Sequence, residues 1–264
     1  MKIKQVLKRA LEVMFDTVGI EAKFWKKDKA RKVIIFDQNQ LAQYFYPNKR
    51  MELYFEGLDR AEMRWSDNFS KQLRFYSLQQ IVEHVLSLRL DADFAECGCW
   101  KGHSSFIIST LLAKQGFKNR FHIFDSFEGG LSKKTLEDKN ELYEQSQKEI
   151  DQEKVMFQSL EENVQKVIED FDFVKLYKGW IPERFGEISN RKFSFVHIDV
   201  DLYEPTLKSL EFFYPKLEDG GIIVCDDYNF KHFNGSKKAW DEFFSDKKVK
   251  INFAPSMGGG FIVK

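Results

Sequence analysis

From residue 70 onward, helically spaced apolar positions alternate with short, continuous apolar runs. The helical spacing predicts five helices, at 70–90, 104–114, 155–170, 204–217 and 236–244. The continuous runs predict five buried strands, at 94–97, 120–125, 173–177, 193–199 and 222–226. Gly220 and Gly221 predict a turn before the last of these strands, and two short strands follow at 248–253 and 260–264. Strands that alternate with helices are typical of βαβ units, so we predict an α/β fold whose parallel sheet has helices on both faces.

Residues 132–155 interrupt this alternation because they are strongly polar and have no apolar face. This pattern predicts a solvated loop. A polar excursion inside an α/β domain is also a candidate for a mobile lid over a ligand site.

Residues 1–70 form a separate compositional unit, rich in Lys, Phe and Tyr. Apolar residues between Ile3 and Phe15 have helical spacing, and the charged residues among them argue against a signal peptide or a membrane helix. We therefore predict an amphipathic helix that packs on the domain or on a partner, with a peripheral membrane contact as the alternative. We divide the chain into an N-terminal extension, 1–70, acting as a cap, lid or dimer contact, and a main domain, 71–264. Formation of a homo-oligomer through the extension stays open at this point.

Charge, hydropathy and cysteine content exclude several classes of protein. The 41 basic and 41 acidic residues cancel, which gives no electrostatic reason to expect nucleic acid as a partner. No window approaches the roughly 18–20 uninterrupted apolar residues of an integral membrane helix. The three cysteines, with no secretory signal, predict free thiols in a reducing compartment and hence a cytoplasmic protein.

Carboxylates stand at the ends of four of the five predicted core strands. They are Glu96, Asp125, Asp199 with Asp201, and Asp226 with Asp227. Carboxylates are disfavoured in strands and costly to bury, so folding alone does not explain these positions. Because parallel α/β sheets bind ligands beyond the carboxyl ends of their strands, these residues predict a ligand site.

The loop after the first core strand leads into a helix that begins near Ser104. Gly98 permits a tight turn and a close approach of a ligand to the backbone, and Ser104 lies beside the free N–H groups of the first helical turn. Trp100 stands where the dinucleotide fingerprint requires glycine, which disfavours a nicotinamide dehydrogenase. The loop therefore suits a ligand with an amino-acid end, and an ordinary strand-to-helix turn is the alternative.

Asp125, which ends the second core strand, can accept hydrogen bonds from both hydroxyls of a ribose. Binders of NAD and binders of S-adenosyl-methionine share this feature, so Asp125 alone does not separate the two classes. A helix cap or a turn residue is the other interpretation.

The four aspartates at the last two core strand ends predict a metal site. At neighbouring strand ends, the charges of Asp199, Asp201, Asp226 and Asp227 would repel each other strongly. A divalent cation relieves this repulsion, and oxygen ligands suit Mg²⁺, Ca²⁺ or Mn²⁺ better than zinc. His197 is predicted to be a buried core histidine. The alternative for the acids is a set of solvated turn residues.

Five segments connect these features to a known family. They are, in chain order, ECGCWKGHS, FDSFEGG, VKLYKGWIPERF, HIDVDLYEPTLKSLEFFYPKLEDGGIIVCDDY and GSKKAWDEF. From about residue 70 to 250 the chain resembles class I S-adenosyl-methionine-dependent O-methyltransferases, specifically the macrocin O-methyltransferase family, which methylates sugar hydroxyls. The resemblance implies a Rossmann-like fold with a mostly parallel, seven-stranded sheet. It also implies S-adenosyl-methionine as cofactor, Mg²⁺ or another hard divalent cation, and a small-molecule or glycan acceptor with a free hydroxyl.

The resemblance also assigns roles to residues. The implied cofactor-binding residues are Glu96, Cys97, Gly98, Lys101, Gly102 and Ser104 in the loop, Asp125 for the ribose with Ser126, and Gly179 and Trp180 near the adenine. The implied metal ligands are Asp199, Asp226 and Asp227. Asp201 resembles the family's general base, and Asp199 is counted as catalytic with it. His103 and Val200 each stand where the family usually has glycine, which bears on the acceptor more than on the chemistry.

Two rival classes of function stay open on the sequence. A metal-dependent glycosyltransferase would use Asp199 and Asp201 as a D-x-D site for a nucleotide diphosphate, but it leaves Asp226 and Asp227 unexplained. A non-catalytic Rossmann-like binding protein would have exposed and dispensable acids. For a methyltransferase, a cation at the acceptor oxygen and a carboxylate base at Asp201 together account for the arrangement.

Overall fold

The computed structural model describes residues 49–138, 146–228, 234–255 and 259–264, which belong to one compact unit, residues 47–264. The predicted amphipathic helix between Ile3 and Phe15 lies outside the described residues. The described helices are α1 (Lys49–Arg60), α2 (Phe69–Ser87), α3 (His103–Lys114), α4 (Gln147–Met156), α5 (Glu161–Val167), α6 (Tyr203–Phe213) and α7 (Asn234–Phe244). The strands are β1 (Asp93–Cys97), β2 (Phe121–Asp125), β3 (Val174–Lys178), β4 (Phe193–Ile198), β5 (Leu217–Cys225), β6 (Ile251–Phe253) and β7 (Gly260–Val263).

A seven-stranded sheet in the order β3-β2-β1-β4-β5-β7-β6 forms the centre of the fold. Strands β1 to β5 run parallel, and β7 pairs antiparallel with both β5 and β6. The predicted α/β fold with a mostly parallel sheet is therefore confirmed. The strand order reverses between β1 and β4, and this switch point is where such sheets bind ligands. None of the described helices is both long and apolar enough to cross a bilayer.

Alternate residues of the central strands pack on opposite faces of the sheet. On one face, Cys97 belongs to a core cluster with Phe213 of α6 and Trp240 of α7. On the other face, the Phe94 ring lies 5.1 Å from the Phe195 ring. Every residue of β1 and β4 is buried, because helices cover both faces, and this explains the continuous apolar runs of the sequence.

The polar stretch 132–155, which is predicted to be a solvated loop, contains helical structure in its described residues. It contains a 3-10 turn at Leu136–Asp138 and most of α4. A capping box begins α4, in which Ser146 and Glu149 each bind the other's backbone N–H group. Most side chains of α4 are exposed, so the helix has no apolar stripe for a periodicity argument to detect.

The 3-10 turn is anchored to the start of α6 by a buried carboxylate. Asp138 accepts hydrogen bonds from the backbone N–H of Tyr203 at 2.7 Å and from that of Thr135 at 2.8 Å. A carboxylate at the first turn of a helix satisfies a free N–H group and complements the helix dipole. The described segment from Thr135 to Asp138 is thus held against the domain.

Three further boundaries differ from the prediction. Gly220 and Gly221 lie inside β5 rather than in a turn, because they exchange backbone hydrogen bonds of 3.0 Å with Lys264. Helix α6 ends at Phe213, where a 3-10 turn containing Pro215 follows, since proline cannot continue a helix. The helix predicted at 155–170 is reduced to the shorter α5.

A buried polar network occupies the opposite end of the sheet, where β1 begins. The Asp93 carboxylate lies 2.9 Å from Nε2 of His122 and accepts hydrogen bonds of 2.5 and 2.9 Å from the Arg191 guanidinium. The other ring nitrogen of His122 lies 2.9 Å from the Tyr177 hydroxyl. Burial raises the pKa of Asp93, but the hydrogen bonds from His122 and Arg191 outweigh it and hold the pKa at about 2.

We expect Asp93 to make the stability of the fold fall between about pH 4 and pH 2. Its folded pKa lies below that of an unfolded aspartate, about 3.9, so its contribution is present above that pH and is lost as the pH falls through the folded value. At about 1.4 kcal/mol per pKa unit, the contribution is about 3 kcal/mol. Urea unfolding over this pH range should show a flatter pH dependence for Asp93→Asn. Asp219→Asn, whose side chain is 86% exposed, is the control, and an unchanged slope in Asp93→Asn contradicts the assignment.

Candidate active site

The loop after β1 connects the ends of three neighbouring strands. Gly98 has φ +81°, and a Cβ atom there would collide with the backbone carbonyl of Asp199. The Gly98 N–H donates to the carbonyl of Phe124 in β2, and the Asp199 N–H donates to that of Cys97, each at 2.8 Å. The backbone therefore passes closely between the ends of β2 and β4, which only glycine permits at this position.

Asp125 holds the same loop from the end of β2. One carboxylate oxygen accepts hydrogen bonds from the backbone N–H groups of Cys99 at 2.9 Å and Trp100 at 3.0 Å. The other oxygen accepts from the Phe127 N–H at 3.0 Å. Asp125 is half-buried and lines the cavity described next, so it fixes the loop and also presents a negative charge to a ligand.

A cavity of about 580 Å³ lies beyond the carboxyl ends of β1, β2, β4 and β5. This volume is within the range of small-molecule and cofactor sites. All four aspartates of the predicted metal site line it, together with six of the predicted cofactor-binding residues. Those six are Gly98, Ser104, Asp125, Ser126, Gly179 and Trp180.

The other four predicted cofactor-binding residues do not line the cavity. The Glu96 carboxylate is buried beneath it, bound to the Ser105 hydroxyl and lying 2.9 Å from Nδ1 of His197. His197 is 1% exposed, which confirms the prediction of a core histidine. The remaining three are Cys97, in the core cluster, Gly102, against Val164 and Val167, and Lys101, whose ammonium lies 5.8 Å from the Trp65 ring centroid.

The predicted metal ligands converge at the ends of β4 and β5. Asp199, Asp226 and Asp227 each offer one carboxylate oxygen, and these atoms lie within 4.8 Å of one another. The backbone N–H of Asp201 donates to Asp227 at 2.8 Å, and Asp201 itself has φ 60°, a region that Asp and Asn enter more readily than other residues with a side chain. Three hard oxygen donors at this spacing could hold a divalent cation.

Burial and neighbouring negative charges raise the pKa values of Asp199, Asp201 and Asp227. Burial, followed by the charge of Asp226, raises the pKa of Asp199 to about 8. Burial also raises the pKa of Asp201 to about 7, and burial with the charges of Asp201 and Asp199 raises that of Asp227 further. Buried acids with raised pKa values favour a cation among them, and the alternative of solvated turn residues does not fit the burial of Asp226 and Asp227.

Two cationic residues of α2 that sequence analysis missed face this cluster. Arg74 forms an ion pair of 2.8 Å with Asp226, and Lys71 lies one turn earlier on the same side of the helix. Burial and the charge of Arg74 lower the pKa of Lys71 to about 8, while Asp199 and Asp226 oppose this shift. The helix was predicted from its apolar positions, but nothing in the sequence indicated which face would meet the acids.

The strand order, the loop after β1 and the acid that ends β2 define a class I methyltransferase fold, and solved structures agree with it. The O-methyltransferase NovP has a TM-score of 0.58 at 22% identity, covering 71% of this chain and 78% of that chain. An O-methyltransferase from Bacillus cereus in complex with SAH has a TM-score of 0.51 at 17% identity, covering 86% of this chain and 96% of that one.

The chain belongs to the macrocin-O-methyltransferase (TylF) family of S-adenosyl-methionine-dependent O-methyltransferases, whose family model matches residues 3–255. The resemblance predicted from the five segments is thereby confirmed. Among curated relatives, the 8-demethyl-8-(2,3-dimethoxy-alpha-L-rhamnosyl)-tetracenomycin-C 4'-O-methyltransferase of Streptomyces olivaceus is 29% identical over 59% of this chain and 60% of its own length. The mycinamicin III 3''-O-methyltransferase of Micromonospora griseorubida is 25% identical over 59% of this chain and 62% of its own length. The chain thus spans about three fifths of these two relatives.

Proposed function

We propose that this chain transfers a methyl group from S-adenosyl-methionine to a sugar hydroxyl of a small molecule, with Mg²⁺ or another hard divalent cation bound beside the acceptor. The observation that carries the proposal is the single cavity that contains both the Gly98–Asp125 region and the aspartate cluster. One half can hold the cofactor, and the other can hold an acceptor oxygen beside a cation. Neither a D-x-D glycosyltransferase nor a binding scaffold requires this juxtaposition.

The charges in the cavity support a bound cation. At the ends of β4 and β5, the four aspartates of the cluster face two cationic side chains, Lys71 and Arg74, so this group keeps two negative charges when all are ionised. One divalent ion offsets them. Asp199, Asp226 and Asp227 would be its ligands, since their oxygens already lie within 4.8 Å of each other.

Residues of the chain would deprotonate the acceptor and orient the cofactor. When bound, the cation lowers the pKa of a nearby hydroxyl, and S-adenosyl-methionine supplies an electrophilic methyl group. Asp201 accepts the hydroxyl proton on its carboxylate, because it lines the same cavity without belonging to the three-oxygen group. Asp125 and the loop around Gly98 orient the cofactor, and such alignment supplies a large part of the rate of a group transfer.

The names of the relatives support a sugar acceptor. The Streptomyces olivaceus relative is named for 4'-O-methylation of a rhamnosyl-bearing tetracenomycin, and the Micromonospora griseorubida relative for 3''-O-methylation of mycinamicin III. We extend the sugar hydroxyl to this chain as a proposal. The departures at His103 and Val200, both close to the cavity, are where acceptor choice can differ.

Calorimetric titration with S-adenosyl-homocysteine tests whether the chain binds the cofactor. The protein is first freed of metal, and the titration is run with and without added Mg²⁺. We expect binding in both conditions and at least a tenfold loss of affinity in Asp125→Ala, because hydrogen bonds to a charged acceptor contribute about 1.5–3 kcal/mol each. Asp246→Ala, with a side chain 79% exposed, is the control. Absence of binding in both conditions rejects the proposal, and a nucleotide-sugar titration with metal would then test the glycosyltransferase.

A further inference from the structure

One wall of the cavity comes from a single stretch of chain that precedes β1. It runs from Met63 to Phe75 and contributes side chains from a 3-10 turn and from the first turns of α2. The ion pair between Arg74 and Asp226 ties this wall to the end of β5. None of the cofactor-binding residues implied by the sequence lies in it.

Lys71 is the buried cation of this wall. It is 8% exposed, and its ammonium donates to the Ser66 hydroxyl at 2.9 Å. Ser66 is oriented for this role because its own O–H donates to the Met63 carbonyl at 2.8 Å. An ammonium has three N–H bonds. Within the described residues, the Ser66 hydroxyl accepts one of those of Lys71. The other N–H bonds are left for a group inside the cavity.

We propose that Lys71 is an acceptor-binding residue, whose ammonium donates hydrogen bonds to the reacting oxygen of the sugar or to the hydroxyl next to it. This inference rests on the proposed methyl transfer to a sugar. Lys71 acts as a donor and keeps its protons, while the hydroxyl proton goes to Asp201. A donor aimed at an oxygen that gains negative charge stabilises the transition state more than the ground state.

The position of Lys71 relative to the strands places it in the acceptor half of the cavity. The residues implied for the cofactor follow β1, β2 and β3, whereas the aspartate cluster follows β4 and β5, on the other side of the switch point. Lys71 interacts electrostatically with Asp199 and Asp226, which belong to the second group.

A neutral, oxygen-rich ligand suits this ammonium better than a further carboxylate. Six aspartates already line the cavity, four of them in the cluster, and an anionic acceptor would restore the repulsion that the cation and the two basic residues relieve. Sugar hydroxyls offer lone pairs without charge. The Phe75 ring, whose centroid lies 5.5 Å from the Lys71 nitrogen, adds an apolar surface beside them.

Methyl transfer to a panel of neutral glycosides with vicinal hydroxyls, led by methyl α-L-rhamnopyranoside, tests the proposal in the presence of Mg²⁺. Lys71→Met keeps the length of the side chain and removes the donor. We expect kcat/KM for the best glycoside to fall about 10²-fold, which is typical for loss of one transition-state donor. The dissociation constant of S-adenosyl-homocysteine should change less than about twofold, because Lys71 lies outside the cofactor half. Lys71→Arg should recover part of the loss, and Lys192→Met, on a side chain 61% exposed, should match the wild type.

The outcomes separate this inference from the proposed function. Normal glycoside turnover in Lys71→Met overturns the role of Lys71 and leaves the methyltransferase proposal intact. Loss of S-adenosyl-homocysteine affinity together with turnover indicates a structural role and also overturns it. Binding of S-adenosyl-homocysteine by the wild type without transfer to any glycoside overturns the sugar acceptor and Lys71 with it, while the cofactor assignment survives.

Discussion

Asp201→Asn is expected to lower kcat by about 10² to 10⁴-fold and to leave the affinity for S-adenosyl-homocysteine unchanged. This range is typical for the loss of a positioned general base. Asparagine occupies nearly the same volume and tolerates the positive φ of Asp201, and the backbone N–H that donates to Asp227 is retained. The substitution therefore removes the proton acceptor with little change in the fold.

Initial rates at saturating glycoside and cofactor, combined with calorimetry, measure both quantities for Asp201→Asn. Asp241→Asn, a substitution of an aspartate whose side chain is 44% exposed, controls for the general effect of removing a carboxylate. A variant with wild-type kcat would remove Asp201 from the mechanism. A variant that lost cofactor binding as well would show that Asp201 supports the cavity and does not act in the chemical step.

Removal of the divalent cation is expected to abolish turnover while S-adenosyl-homocysteine still binds. The three carboxylates of the cluster repel one another when they are buried and ionised, so the ion should also stabilise the fold. Binding to the native state alone adds about 2.7 kcal/mol of stability when the free ion is at 100 times its dissociation constant. Chelation followed by readdition of Mg²⁺, with activity and melting temperature measured together, tests both effects.

Asp227→Asn separates metal binding from folding. Burial and neighbouring charges raise the pKa of Asp227, so the neutral asparagine should raise the melting temperature of the metal-free protein. Its side-chain oxygen can still accept the hydrogen bond from the Asp201 N–H. The same variant should lose activity and most of the Mg²⁺-dependent rise in melting temperature. An equal rise in the variant and the wild type would place the ion elsewhere.

The core strands and their order of succession were predictable because both faces of each central strand are covered. Phe94, for example, packs against Phe195 on one face while Cys97 enters the core cluster on the other, so apolar residues are needed on both faces of the strand rather than at alternate positions only. The ends of these strands were predictable because carboxylates follow the apolar runs. Carboxylates such as Asp199 and Asp226 are costly in a strand, so their positions marked where the sheet meets its ligands.

The elements that escaped prediction depend on tertiary contacts or on local capping. Helix α1 lies in a region of poor apolar periodicity and is fixed by packing on α2 and α3, where the Tyr54 carbonyl accepts a hydrogen bond of 2.9 Å from His103. Helix α4 is defined by the capping box at Ser146, which no apolar pattern reveals. Helix propensity and apolar periodicity contain no information about tertiary packing or about side-chain capping.

The candidate site was predictable in part for similar reasons. Residues on one strand end or one loop, such as Asp226 and Gly98, share a location that the sequence itself specifies. Lys71 and Arg74 come from a helix before β1, and the sequence does not state which end of the sheet that helix crosses. Glu96 shows the converse case, since its side chain points to the buried face of β1 and binds Ser105 instead of lining the cavity.

The contiguity of the wall from Met63 to Phe75 has a consequence for divergence within the family. This stretch contains no strand of the sheet and none of the four aspartates of the cluster, so its residues, apart from Arg74 that pairs with Asp226, can be exchanged as one cassette without altering the register of the strands. Acceptor choice is then inherited on a piece of the chain separate from the strand ends that carry the aspartates. A chimera carrying this cassette from a relative tests whether specificity moves with it.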